Sequence, residues 1–273
     1  MDFPRKAGTS ADPIFVRQLD DPSTIVGGLL TGARAINLWA SMTLGTGLTR
    51  DFWANGGTGN QTLGTAALTL EVVSSSTNDA AAGTGARTLL LTGLNASFVE
   101  ITETVTMNGQ TAVVVAGAFM RINSAVVVTT GTGHTNAGTI SIRDVSDSPV
   151  YAVIPIGAAT LNQLHYTVPA GKYALLADLS FSSMGDSDET APPLEGVSIV
   201  TRVATTASVA APTAYVYKTG AGVFAQRGGQ GRLTYPGGWL YLAEGTLLAP
   251  QVVNATAANA DVLGSALLLE FTA

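Results

Sequence analysis

Between Val99 and Met107 the chain alternates without a break. Val99, Ile101, Glu103, Val105 and Met107 fall on one side, and Glu100, Thr102, Thr104 and Thr106 on the other. Successive side chains of a strand point to opposite faces, so this pattern can bury its apolar half only in a sheet. Asn108-Gly109 follows, a pair suited to the left-handed conformations of a type I′ turn. Together they predict a β-hairpin whose return strand is Thr111–Ala116. The same pattern predicts strands at Ala118–Asn123, Ala125–Thr129 and Gly138–Arg143. Val168-Pro169-Ala170-Gly171 has the composition of a type II turn. It leads into Lys172–Phe181, where Tyr173, Leu175, Ala177, Leu179 and Phe181 are predicted to share one face. Val197–Val203, Arg232–Tyr235, Leu247–Asn254 and Val262–Phe271 complete the set.

Short strands punctuated by Gly, Pro and Asn every ten residues or so point to a sandwich or barrel rather than βαβ units. The fold class predicted is all-β: two tandem antiparallel β-sandwich (jelly-roll-like) domains with an extended N-terminal arm. The stretch Arg143–Tyr151 is taken as the break between a first domain at 61–147 and a second at 148–273. Residues 1–60 lack regular alternation, and a compact domain seldom holds a structureless loop of that length. Their aromatics, Phe3, Phe15, Trp39, Phe52 and Trp53, argue for an arm ordered against partners, because disordered tails are poor in such residues. In that role they would be interface anchors. Stacking on sugars and plain core packing compete with it.

At 273 residues the chain is long enough to bury a large core without staples. It has no cysteine, which excludes disulfides and thiolate metal sites. Only 12% of residues are charged, about half the usual ~25%. A net charge of −6 and lysine at only Lys6, Lys172 and Lys218 leave little to keep chains apart. Either the surface is polar but neutral, built of Thr, Ser, Asn and Gly, or much of it is covered by neighbouring subunits. Scattered arginines give no basic stripe for nucleic acid. Apolar runs such as Leu89–Leu91 and Val113–Val115 are far shorter than the ~20 residues of a spanning helix. The first residues show no apolar core of a secretory signal.

Gly83-Thr84-Gly85-Ala86-Arg87 has the look of a phosphate loop but lacks the Lys-Ser/Thr and the following helix that such a loop needs. Gly131-Thr132-Gly133 and Gly56-Gly57-Thr58-Gly59 fail the same test, so these are expected to be turn glycines. His134 and His165 have no metal-ligand or nucleophile motif beside them; the first is expected in a turn, the second on a strand face. Asp186-Ser187-Asp188-Glu189 lacks the other ligands of a calcium loop and is expected at a solvated loop tip. Glu103, on the apolar side of its strand, is expected to meet an arginine at an interface. No catalytic, cofactor or metal constellation assembles, so the expectation is a non-enzyme without cofactors.

Three stretches, Ala82–Thr88, Gly93-Leu94-Asn95 and Glu103–Gly109, with Arg121-Ile122-Asn123 and Asn136–Ile140 after them, resemble virion structural proteins of tailed double-stranded DNA bacteriophages. The resemblance covers roughly residues 60–145; the second half is only generically like a viral jelly roll. It implies a non-enzymatic head or tail component in many copies, and carries over no functional residues. The expected role is a capsid decoration (cement) or minor head protein of the virion, assembled in the host cytoplasm. Its partners would be itself, as a homotrimer or larger ring, and other virion proteins such as the major capsid protein, with no nucleic acid or membrane. Alternatives are a tail adaptor, collar or fibre-attachment protein, or a receptor- or glycan-binding module using Trp39, Phe52, Trp53 or Trp239.

Overall fold

The computed structural model describes residues 32–55, 58–185, 197–204, 216–218, 230–233, 239–254 and 259–273. Among them the regular elements are strands, in the order β1 (Ala33–Leu44), β2 (Thr49–Asp51), β3 (Leu70–Ser74), β4 (Ala86–Leu94), β5 (Glu100–Thr106) and β6 (Val113–Val114). Next come β7 (Arg121–Thr130), β8 (Ile140–Asp144), β9 (Val150–Ile154), β10 (Tyr166–Thr167), β11 (Lys172–Gly185) and β12 (Val197–Ala204). The last are β13 (Val216–Lys218), β14 (Gln230–Leu233), β15 (Leu240–Leu242), β16 (Leu247–Leu248), β17 (Gln251–Asn254) and β18 (Ala260–Thr272). The all-β class holds, and every pairing is antiparallel.

Two sandwiches are present, and they are nested rather than laid end to end. In the first, the sheet β6-β3-β8-β9 packs on β5-β4-β7. Its core holds Leu70, Val72, Ile140, Ile142 and Ile154 from one sheet and Leu89, Leu91, Val105 and Ala125 from the other. In the second, the sheet β1-β18-β11-β14, with β15 also on β11, faces β10-β16-β12-β17-β2 and β13. Its core mixes Leu38, Ala40, Met42 and Leu44 with Leu176, Phe181, Val252, Val262 and Leu268. The chain therefore opens the second sandwich, leaves it to build the first, and returns to finish it.

That topology moves both expected boundaries. β1 lies along β18 over its whole length, from Ala33↔Phe271 to Leu44↔Ala260, so residues 33–51 belong to the sheets and not to an arm. Their alternation is blurred on the outward side, where Ala33, Ala35 and Trp39 stand among Asn37, Ser41 and Thr43. The stretch Arg143–Tyr151 is a tight hairpin joining β8 to β9 within the first sandwich. The chain crosses back later, across residues 155–165.

Two local expectations also change. Gly109 has the positive φ of 62° expected of the Asn-Gly turn, yet no hairpin forms there. β5 pairs with β4, and the return segment crosses to the opposite sheet, where Val113–Val114 pairs with β3. Gly109 is drawn across by its N–H to Asp79 O (2.6 Å) and its own carbonyl accepting from Ser74 N (3.0 Å). In β11 a bulge between Leu176 and Asp178 reverses the phase of the strand. Ala174, Leu176, Leu179 and Phe181 point into the core, while Tyr173 and Leu175 point outward.

Candidate functional site

Three features invite a functional reading: the glycine-rich turn, the seam between the sandwiches, and the outward face of the β1-β18-β11-β14 sheet. The turn at Gly83–Gly85 does surround an anion, and the anion is the chain's own. Asp79 is fully buried. Its Oδ1 accepts from Ala86 N (2.7 Å) and Ala137 N (2.8 Å), its Oδ2 from Gly138 N (2.9 Å) and the Ser74 hydroxyl (2.6 Å). A Cβ at Gly85 would lie 2.1 Å from Asp79 Oδ1. Ala86 begins strand β4, so the expectation of turn glycines is met and the nest is filled from within.

The seam is polar. Arg34 of β1 forms a bidentate ion pair with Glu100 of β5 and contacts Glu270 of β18 at 2.6 Å. Lys172 Nζ lies 3.0 Å from Glu270 and 3.5 Å from Glu100, and the Tyr166 hydroxyl donates to Glu270. Two cations thus balance two carboxylates around Glu270, which is 1% exposed. Burial alone would lower the Arg34 pKa, but the Glu100 hydrogen bond and the Glu270 charge outweigh it and raise it. Burial would likewise raise Glu100, but the hydrogen bond and charge of Arg34, helped by Lys172, bring it below its ordinary value. Burial, then the Glu270 charge, push the Tyr166 phenol up.

Amides extend the seam. Asn123 Nδ2 donates to Thr167 O (2.7 Å) while Thr167 N donates to Asn123 Oδ1 (3.0 Å). Gln61 Nε2 donates to Gln163 Oε1 (2.7 Å), and Gln163 Nε2 to Ile122 O (3.0 Å). His165 sits here, its Nε2 3.7 Å from Asp51 Oδ2. At 3% exposure each, His165 and Asp51 are out of reach of a substrate. A small apolar patch, with Phe98 and Leu63 against Leu247 and Ala249, closes one side. Beside the seam a cleft of about 520 Å³ runs along the free edge of β1, between Arg34, Asn37 and Trp39 and the residues Ser124, Thr160 and Tyr166. Ser41 N donates to Asn162 Oδ1 (2.9 Å), which shows which edge of β1 faces the first sandwich. Backbone groups alternate between edges, so those of Ala35 and Asn37 point the same way. Among the described residues no hydrogen bond pairs them there.

The outward sheet face has an apolar half and a polar half. Phe271, Leu269, Leu267, Tyr173, Leu175 and Trp239 cluster on the first. Tyr173 stacks on Phe271 at 5.1 Å between ring centroids, with Tyr241, 61% exposed, at 5.7 Å on its other side. On the polar half a groove of about 710 Å³ is lined by Trp39, Asp178, Ser180, Arg232, Leu263 and Ser265.

Against this geometry the expected anchors divide. Phe52 is fully buried and Trp53 is 4% exposed, so both are core residues of this chain and cannot insert into a neighbour. Gly264 leaves the space that Phe52 fills: a Cβ there would lie 2.2 Å from the ring. Trp39 is half-buried, and its indole N–H donates to Thr160 Oγ1 (2.9 Å), which ties the two sandwiches together. Trp239 is half-buried against the apolar cluster. Phe3, Phe15 and the Asp186–Glu189 run lie outside the described residues. Glu103 has partners within the chain: its carboxylate accepts from Ala116 N (2.9 Å) and Gly117 N (2.5 Å). His134 occupies an exposed turn with φ 61°.

No family model matches the chain, and no curated protein matches it. Among solved structures it is similar to the VP2 subviral particle of infectious bursal disease virus, at 12% identity and a TM-score of 0.22, over 95% of this chain and 82% of that one. It is similar to T=1 particles derived from the same virus at 12% identity and a TM-score of 0.22, over 94% and 79%.

Sequence reasoning missed the seam. Arg34, Glu100, Lys172 and Glu270 are scattered across 237 positions and carry no motif; the signal that could have flagged them is the scarcity of charge, which makes each charged residue in a strand worth a partner.

Proposed function

We propose that this chain is a non-enzymatic structural subunit of a tailed-bacteriophage virion, a decoration (cement) or minor head protein that works by self-association and by contact with the shell. The observation that carries this is the apolar half of the outward sheet face, where Tyr241 is 61% exposed beside the half-buried Tyr173, Leu175, Leu267 and Trp239. Outward aromatic clusters of this kind mark association surfaces. The open edge at Ala35 and Asn37 adds backbone groups able to pair with another chain. Two further points agree: the chain has few charges to oppose contact, and its stretches at 82–109 resemble virion proteins. A subunit that binds only the assembled shell stabilises it by mass action, without chemistry. The natural partners are further copies of the chain and the major shell protein, in a particle put together in the host cytoplasm.

Light scattering on the purified full chain tests the first step. The expected result is a closed oligomer of three or more copies, shifted toward monomer by Tyr241→Lys, with unchanged circular dichroism. A wild-type chain that stays monomeric at high concentration would contradict the proposal.

A further inference from the structure

The polar half of the outward face holds a second arrangement, separate from the apolar cluster. Register places Trp39, Ser265, Ser180 and Arg232 in one row across four neighbouring strands. At ~4.8 Å per strand the row spans about 14 Å. The middle hydroxyls, Ser180 Oγ and Ser265 Oγ, are 2.9 Å apart. Arg232 pairs through its Nε with Asp178, and among the described residues its two terminal nitrogens have no further partner. Leu263, 46% exposed, flanks the row. The groove above them is about 710 Å³, within the ~300–1,000 Å³ typical of small-ligand sites.

We infer that this groove binds a neutral oligosaccharide. A sugar ring offers an apolar C–H face and a rim of hydroxyls that both donate and accept. The groove offers the complement: an indole and an aliphatic side chain, two serine hydroxyls, a carboxylate that accepts and a guanidinium that donates. Asp178 and Arg232 cancel in charge, so an anionic ligand would have to break their pair to gain one. A purely apolar ligand would strip water from four polar groups and satisfy none. Trp39, whose indole N–H is held by Thr160, is fixed in place before any ligand arrives. This inference does not depend on the virion proposal; sugar binding and particle association can each fail alone.

A glycan array carrying neutral, sulfated and phosphorylated oligosaccharides, probed with the full chain and followed by calorimetry with the best neutral binder, tests it. Trp39→Phe would also cut the Thr160 contact, so Asp178→Asn and Arg232→Gln, both changes of surface side chains, carry the test. Binding of at least one neutral oligosaccharide is expected, weakened tenfold or more by each variant and unchanged by the distant Gln110→Ala. No binding above background, wild-type affinity in either groove variant, or a preference for sulfated or phosphorylated glycans would overturn it.

Discussion

At the scale of single residues, Asp79 does the work that the glycine-rich turn seemed to offer a phosphate. Its carboxylate satisfies three backbone N–H groups and one hydroxyl, all shut away from water. Buried donors left without an acceptor cost about 1–3 kcal/mol each. Asp79→Ala is therefore expected to lower unfolding stability by about 3 kcal/mol or more, measurable as a drop in the urea midpoint. A shift within error would show that water replaces the carboxylate. The turn at Gly83 and Gly85 was legible because a phosphate loop needs a following helix, and Arg87-Thr88-Leu89 starts a strand pattern instead. The ligand was not legible: Ala137 and Gly138 lie nearly sixty positions from Asp79 and meet it only through the β3–β8 pairing.

At the scale of elements, most strands were legible from alternation and turn chemistry, and the misses have identifiable causes. β11 reads as one continuous period-two pattern from Tyr173 to Phe181, yet a single extra residue at Ala177 turns its two halves to opposite faces. A periodicity cannot show a bulge when the residues on both sides of it are apolar. Deleting Ala177 removes the extra residue and leaves Ala174, Leu176, Leu179 and Phe181 in strict alternation on the inward face, with the pairing to β18 kept. The deletion variant is therefore expected to keep its cooperative thermal transition and near-ultraviolet circular dichroism; loss of either would show that the bulge itself is required. The Asn108-Gly109 turn teaches the converse. Local chemistry set the positive φ, while the pull of Asp79 O and Ser74 N decided which strand came next.

At the scale of the whole molecule, nesting was beyond sequence reasoning, because nothing in Ala33–Leu44 points to a partner more than 200 residues away. Nesting also explains the seam: a sandwich inserted between β2 and β10 is held at both crossings, and the Arg34, Glu100, Lys172 and Glu270 cluster fastens it there. Glu100 sits below its ordinary pKa when folded, so the unfolded chain binds its proton more readily. Its stabilising share is complete above the unfolded value of about 4.3 and fades as pH falls through the folded one. Urea midpoints are expected to fall between pH 6 and pH 3, and Glu100→Gln, lower at pH 6, is expected to fall less; parallel curves would remove Glu100 from the account. Everything proposed for the whole molecule rests on sheets that supply contact area. The most direct measurement is quantitative mass spectrometry of purified virions from cells that produce the chain. The account predicts the chain in fixed stoichiometry to the shell protein, at copy numbers matching the shell lattice. A count near a dozen would move it to the tail, and its absence from particles would contradict the structural role altogether.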